Sequence, residues 1–304
     1  MNIDRKLVRK VIESFVDSPE YYWNNNARQL KKSSSRIKRL FDYYGWDAES
    51  LIEIIICIAE ERISKNTKTI YFSSFGSSGS HLLQHVLVDS FDMIGLGEIY
   101  LPQPLENTLR EVDLKSGQML LECYHLLHSP PENIFKNKPI INTAHRASLQ
   151  TFSSSTALFT PVFIIRDPVE LTISRSFRKD EYRSYLGMAD VSDEEYLKEN
   201  IEKTKRFYQS ALKYPYEYYL FFEDISKNPV RVAELLSLIS NEKGNESKVL
   251  ESLKRAVETG ATNKYSGPKI LVSESLISLA ESELKNISSK VEEFRSVYAG
   301  KKAL

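Results

Sequence analysis

Apolar residues follow two regimes along this chain. Up to about residue 66 they recur at helical spacing. Leu7, Val11, Ile12 and Phe15 mark a first amphipathic helix, and a second helical run covers about 47–64. The most apolar stretch, Leu51 to Ala59, lies in that second run. Glu53 interrupts it, and it is too short to cross a bilayer, so it predicts a buried helix. Between the two runs lie Arg28, Lys31, Lys32, Arg36, Lys38 and Arg39, with three serines among them. This basic stretch reads as a solvated helix surface, with a patch for an anionic partner as the alternative.

From Lys68 the spacing changes to short apolar runs separated by helical ones. Thr69–Ser74, Met119–Cys123, Pro139–Thr143, Val162–Ile165 and Tyr216–Phe222 are predicted strands. Leu82 to Val88 continues as a helix after the first of them. Ser192 and Glu195 have the spacing of a capping box, and Asp224 or Ser226 is placed to cap the helix carrying Val232 to Ile239. The stretch from about Ser273 to Tyr298 is mostly helical by pattern. Short apolar strands alternating with helices predict a three-layer α/β/α fold with a central parallel sheet. The expected organisation is a helical N-terminal extension over 1–66 and one compact α/β domain over 67–304, with no internal repeat and no low-complexity linker.

Composition narrows the function classes. The 304 residues are 41% hydrophobic and 27% charged, with a formal net charge of zero. That balance argues against a broad nucleic-acid surface while leaving room for a local anion pocket. The two cysteines, Cys57 and Cys123, each sit inside an apolar run and read as buried, reduced thiols. No His/Cys cluster has zinc spacing, which leaves only a carboxylate-held Mg²⁺ open as a metal. Met-Asn-Ile-Asp-Arg-Lys at the start has no apolar signal core behind it, so the expectation is a soluble, cytoplasmic protein without a membrane span.

Two segments about ninety residues apart carry the chemistry. The first is Tyr71-Phe72-Ser73-Ser74-Phe75-Gly76-Ser77-Ser78-Gly79-Ser80-His81, an apolar strand entering a Gly/Ser turn and then a helix. Such a turn aims free N–H groups and a positive helix end at an anion. It is P-loop-like but lacks the lysine of the Walker pattern. The second segment runs from Val162 through Arg166-Asp167-Pro168 to Ser174. A guanidinium at the end of a strand can grip a phosphate bidentately, and Pro168 suits the first turn of the following helix. Two such turns suggest a nucleotide with phosphate at both ends of its ribose. His145 follows the predicted strand Pro139–Thr143, on the edge where parallel sheets bind ligands, and its ordinary pKa suits a general base. His125 and His128 read as packing or solvent-contacting residues.

Together these segments resemble the sulfotransferase family that uses 3′-phosphoadenosine 5′-phosphosulfate (PAPS). Its 5′-phosphosulfate loop reads Tyr-Pro-Lys-Ser-Gly-Thr-Thr, and Phe75 to His81 matches it, with Ser78-Gly79-Ser80 at its centre. Arg166, Asp167, Pro168 and Ser174 match the 3′-phosphate segment without a gap. Phe222-Glu223-Asp224-Ile225-Ser226-Lys227-Asn228-Pro229 resembles the family's Tyr-Glu-Asp segment. Thr143-Ala144-His145 matches the base segment through its histidine. The resemblance covers about 68–240.

The resemblance implies transfer of a sulfuryl group from PAPS to a hydroxyl of a small-molecule or carbohydrate acceptor, with no metal. His145 would be the base. Gly76, Ser77, Ser78, Gly79, Ser80 and His81 would hold the 5′-phosphosulfate, Arg166 and Ser174 the 3′-phosphate. Phe222 would stand at the adenine, and Lys264 would lie in a late basic loop. Several positions depart from the pattern: Ser77 replaces the loop lysine, Gly76 the proline, His81 the second threonine, Thr143 the lysine before the base, and Leu82 a tryptophan. Arg146, His81 and Lys264 are the candidates to replace the missing lysine. Tyr182, Tyr185, Leu186 and Met188 are candidates to line an acceptor pocket. The alternatives are a nucleotide-binding homologue with impaired catalysis, suggested by Ser77, and a P-loop small-molecule kinase.

Overall fold

A computed structural model describes residues 3–24, 26–67, 69–144, 159–177, 183, 187–213, 218–259 and 271–298. Four helices lead: α1 (Arg5–Asp17), α2 (Pro19–Tyr22), α3 (Ala27–Tyr44) and α4 (Ala48–Ser64). There follow β1 (Thr69–Ser73), α5 (Ser80–Phe91), β2 (Ile94–Glu98), α6 (Gln103–Glu111), α7 (Leu114–Leu127), a single 3-10 turn at Pro131–Asn133, β3 (Ile140–Ala144) and β4 (Phe159–Ile165). The rest comprises α8 (Pro168–Phe177), α9 (Asp193–Ala211), β5 (Tyr218–Phe221), α10 (Asp224–Lys227), α11 (Pro229–Ile239), α12 (Glu246–Thr259) and α13 (Glu274–Tyr298).

The five strands form one parallel sheet in the order β2-β3-β1-β4-β5, flanked by helices. Ile94 pairs with Ile140, and Val162 to Ile165 pair with Tyr218 to Phe221. Every residue of β1 and of β3 is buried, as expected of strands covered on both faces. The expected α/β/α fold is therefore observed.

The chain divides into two compact units, the first drawn from Met1–Tyr71, Leu87–Ala144 and Leu149–Pro161, the second from Phe72–Val86, His145–Ser148 and Val162–Leu304. In the first, α1, α4 and α7 pack together. The α1 stripe is Val8, Ile12 and Phe15, with Leu7 and Val11 half-buried at its edge. Glu122 of α7 and Arg62 of α4 form a buried ion pair at 2.9 Å. Arg62 Nη1 also donates to the carbonyls of Lys136 and Lys138 at 3.1 and 2.8 Å. In the second unit, Phe177, Leu197, Ile201, Ala280 and Leu284 join α8, α9 and α13 in one core. The Ser192–Glu195 capping box is present, and α13 spans the predicted C-terminal helix.

Some expectations are corrected. Met119–Cys123 is not a strand but the middle of α7. A short apolar run has no period of its own, and here Asp113 caps a helix by accepting from the N–H groups of Lys115 and Ser116. Its residues from Met119 to Leu127 are buried all round, which erases any amphipathic signal. The strand β2, Ile-Gly-Leu-Gly-Glu, was not predicted because glycine weakens a strand pattern. The helix carrying Val232 to Ile239 has Asn228 at its N-cap with no side-chain capping bond, and Pro229 opens it; neither Asp224 nor Ser226 caps it.

Cys123 is buried as expected, but Cys57 is exposed. It stands four residues from Glu53 and from Glu61, on the polar stripe of α4 rather than the apolar one. In the basic stretch, Arg28, Lys31, Lys38 and Arg39 are exposed. Arg36 is not a solvated residue. Its guanidinium donates to the carbonyls of His128 and Leu96 at 3.0 and 2.9 Å, and burial lowers its pKa to about 10.

Candidate functional site

All the described residues of the candidate site belong to the second unit. The end of β1 and the end of β4 are neighbours in the sheet. β1 is flanked by β3 on one side and β4 on the other, so it is a point where the connections change direction, the place where such sheets bind ligands.

After β1 the chain turns sharply. φ is +79° at Ser77 and +80° at Gly79, but not positive at Ser78 between them. Alternation of this kind points successive N–H groups into a concavity, a nest for an anion. Ser78 Oγ donates to the Phe75 carbonyl at 2.6 Å and braces the turn, and Leu83 N–H to the Gly79 carbonyl at 3.1 Å starts α5. Ser78 and Ser80 are buried, and His81 is exposed in the first turn of α5.

The second segment meets this loop directly. Arg166 is buried, and its Nη1 donates to the Ser77 carbonyl at 2.7 Å. Its guanidinium lies 4.5 Å from the Phe222 ring centroid, and Nη2 is 3.6 Å from Glu170. Tyr208 clasps the Arg166 backbone, donating to its carbonyl at 2.6 Å and accepting its N–H at 3.3 Å. Burial raises the Tyr208 pKa, so it stays a neutral donor. Asp167 caps α8 by accepting the Glu170 N–H at 2.8 Å, with Pro168 as the first helical residue.

Ser174 lies on the second turn of α8, four residues from Glu170 and so on the Arg166 side of the helix. Its Oγ is buried with no hydrogen-bond partner among the described residues. An orphaned buried hydroxyl asks for an acceptor or donor from elsewhere. With the nest and the guanidinium, it makes the residues present a fit for a phosphorylated ligand.

The Phe222-Glu223-Asp224 motif works as a clamp. Phe222 lies in the turn after β5, its N–H bonded to the Ile165 carbonyl at 2.7 Å. Glu223 accepts the Asp167 N–H at 2.8 Å, so two of the sequence motifs are bonded to each other. Arg295 of α13 donates to Asp224 at 2.7 Å.

Other residues at the site carried no sequence signal. Arg175 stacks 4.4 Å from the Phe75 centroid, and its Nε donates to Asn200 at 3.0 Å. Phe75 in turn stacks on Phe207 at 4.9 Å. A helical arginine and an asparagine twenty-five residues on have no readable spacing, and only the packing of α8 on α9 joins them.

His145 and Lys264 lie outside the described residues, as do Arg146, Tyr182, Tyr185 and Leu186. Met188 is described, with its carbonyl accepting from Arg183 Nε at 3.0 Å. Among the described residues no cluster of His, Cys, Asp and Glu has the makings of a metal site, and no helix is long and apolar enough to cross a membrane.

No family model matches the chain, and no curated protein sequence does. Two sulfotransferases are among the solved structures that resemble it. The sulfotransferase domain from the curacin biosynthetic pathway is 16% identical with a TM-score of 0.39, over 72% of this chain and 98% of that one. Mouse sulfotransferase SULT7A1 complexed with PAP is 12% identical with a TM-score of 0.40, over 76% of this chain and 89% of that one.

Proposed function

We propose that this protein is a sulfotransferase that binds PAPS across the ends of β1 and β4 and passes its sulfuryl group to a hydroxyl of a small-molecule or carbohydrate acceptor. The observation that carries the reading is the bond from Arg166 Nη1 to the Ser77 carbonyl, which joins the two anion-binding segments in one place. The Ser174 Oγ on the same side of α8, without a partner among the described residues, supports it.

The donor supplies the group transferred: its sulfur–oxygen bond to the 5′-phosphate breaks as the acceptor oxygen bonds to sulfur, and adenosine 3′,5′-bisphosphate leaves. The protein's part is positioning and charge stabilisation. The N–H groups of the 76–80 turn, with the hydroxyls of Ser77 and Ser80, hold the 5′ end. Arg166 and Ser174 hold the 3′-phosphate, and Phe222 offers a ring to the base. His145, next in sequence to the last residue of β3, takes the acceptor's proton. Lys264 contributes from the late basic loop. No metal takes part in this scheme.

Calorimetry with adenosine 3′,5′-bisphosphate and 5′-AMP tests the reading. Arg166→Ala is expected to weaken the bisphosphate roughly tenfold to a hundredfold and 5′-AMP much less. Equal losses would mean that Arg166 only braces the Ser77 loop. His145→Ala is expected to abolish transfer from radiolabelled PAPS while leaving nucleotide binding intact. Strong transfer by that variant would remove His145 as the base. Ser77, where the resemblance expects lysine, favours one second reading, a homologue that binds the nucleotide without turnover; wild-type binding with no transfer to any acceptor would establish it.

A further inference from the structure

Two departures from the expected loop, Gly76 and Ser77, have one explanation in the packing of Arg175. A Cβ built on Gly76 would stand 2.5 Å from Arg175 Nη1, so the guanidinium fills the place a side chain would take. The conformation does not demand glycine there, because φ at Gly76 is not positive. In this packing the neighbouring guanidinium occupies the space, and a methyl at Gly76 would displace it. Arg175 is also posted firmly at this spot. It lies on the Phe75 ring and donates to Asn200, and the Asn200 amide is itself fixed by donating to the Tyr196 carbonyl at 3.0 Å.

We infer that Arg175 is the cation serving the 5′-phosphate of the bound nucleotide, replacing from α8 the charge that Ser77 cannot supply from the loop. This rests on the nucleotide reading above. The physical case is short. A nest of N–H groups binds an anion better with a full positive charge at its rim. Arg175 puts a guanidinium against the first residue of that turn. A guanidinium's planar fork can stack on a ring and donate to a phosphate oxygen at once. Arg146, His81 and Lys264 are not needed for the role.

The test compares adenosine 3′,5′-bisphosphate with adenosine 3′-monophosphate by calorimetry. Their affinity ratio isolates the 5′-phosphate. Arg175→Gln is expected to shrink that ratio roughly tenfold to a hundredfold and to leave the 3′-monophosphate unchanged. Gly76→Ala, whose methyl must push the guanidinium aside, is expected to shrink the same ratio without touching the charge. Ser77→Lys added to Arg175→Gln is expected to restore part of it. An arginine that merely supports Phe75 and Asn200 would weaken both nucleotides together or neither, and that outcome overturns the inference. Should Arg175→Gln fail to fold, an unchanged ratio in Gly76→Ala overturns the inference. Wild-type protein that ignores adenosine 3′,5′-bisphosphate sinks the nucleotide reading and this inference with it. Wild-type binding with an unchanged ratio in the variants sinks the inference alone.

Discussion

Phe222 places its Cε2 atom 2.5 Å from the position a Cβ on Gly79 would occupy. The glycine also holds φ at +80°, so space and backbone conformation both exclude a side chain. The aromatic residue of the third motif thus closes on the glycine of the first. Gly79→Ala is expected to lower the unfolding free energy by about 1–3 kcal/mol, read from the urea midpoint at constant slope. Adding Phe222→Leu removes the ring but not the φ penalty, so only part of the loss returns. An alanine variant as stable as wild type would mean that the loop does not adopt this turn.

The buried pair Arg62–Glu122 makes the second prediction. Both side chains are almost fully covered, and Glu122 also accepts from Thr69 Oγ1 at 2.9 Å. Removing one charge strands the other in a dry interior. Arg62→Ala is expected to cost about 3–5 kcal/mol in chemical denaturation. Arg62→Met with Glu122→Leu is expected to cost less than Arg62→Ala alone, because no charge is left stranded. A double variant worse than the single one would refute that account.

Two buried histidines set a pH dependence. Thr69 gives its proton to Glu122, so its Oγ1 accepts from His125 Nδ1 at 3.2 Å and Tyr71 donates to His125 Nε2 at 2.6 Å. His125 is thereby neutral, and burial first, then the nearby His128 and Arg62, lowers its pKa well below the ordinary value. His128 donates Nδ1–H to the Tyr124 carbonyl at 2.7 Å, and its pKa is lowered to about 3, chiefly by burial. The unfolded chain therefore binds more protons than the folded one below the ordinary histidine pKa. Stability is fully present above about pH 6.5 and falls as the solution is acidified toward pH 3. At pH 5, His128 alone is expected to cost about 2 kcal/mol relative to pH 7.5. Urea unfolding at the two pH values measures it, and His128→Gln should flatten the slope. An unchanged slope in that variant would show that His128 is protonated in the folded state.

Much of the site was legible because its residues are local in sequence. The Gly/Ser turn announces itself where β1 ends, and Asp167-Pro168 announces the start of α8. Each is a few residues long and obeys backbone rules that need no partner. The sheet was legible where strands are continuous apolar runs, as in β4. It failed at Met119–Cys123 and at the glycine-rich β2. There the deciding quantity was which faces are covered, and a run of five residues does not encode that. Cys57 and Arg36 were misplaced for the same reason: a residue's exposure depends on what its helix lies against.

The order of residues alone determined that there would be a parallel sheet, that two of its strands would end in polar turns leading into helices, and which glycines and prolines would shape those turns, since short-range sterics govern all three. Tertiary packing decided that Arg166 would bond the Ser77 carbonyl, that Glu223 would hold the Asp167 N–H, and that Arg175 would stand in the space left by Gly76. Those contacts join segments separated by long stretches of chain. Their existence depends on how α8, α9 and the strand ends pack, and so no local pattern could carry them.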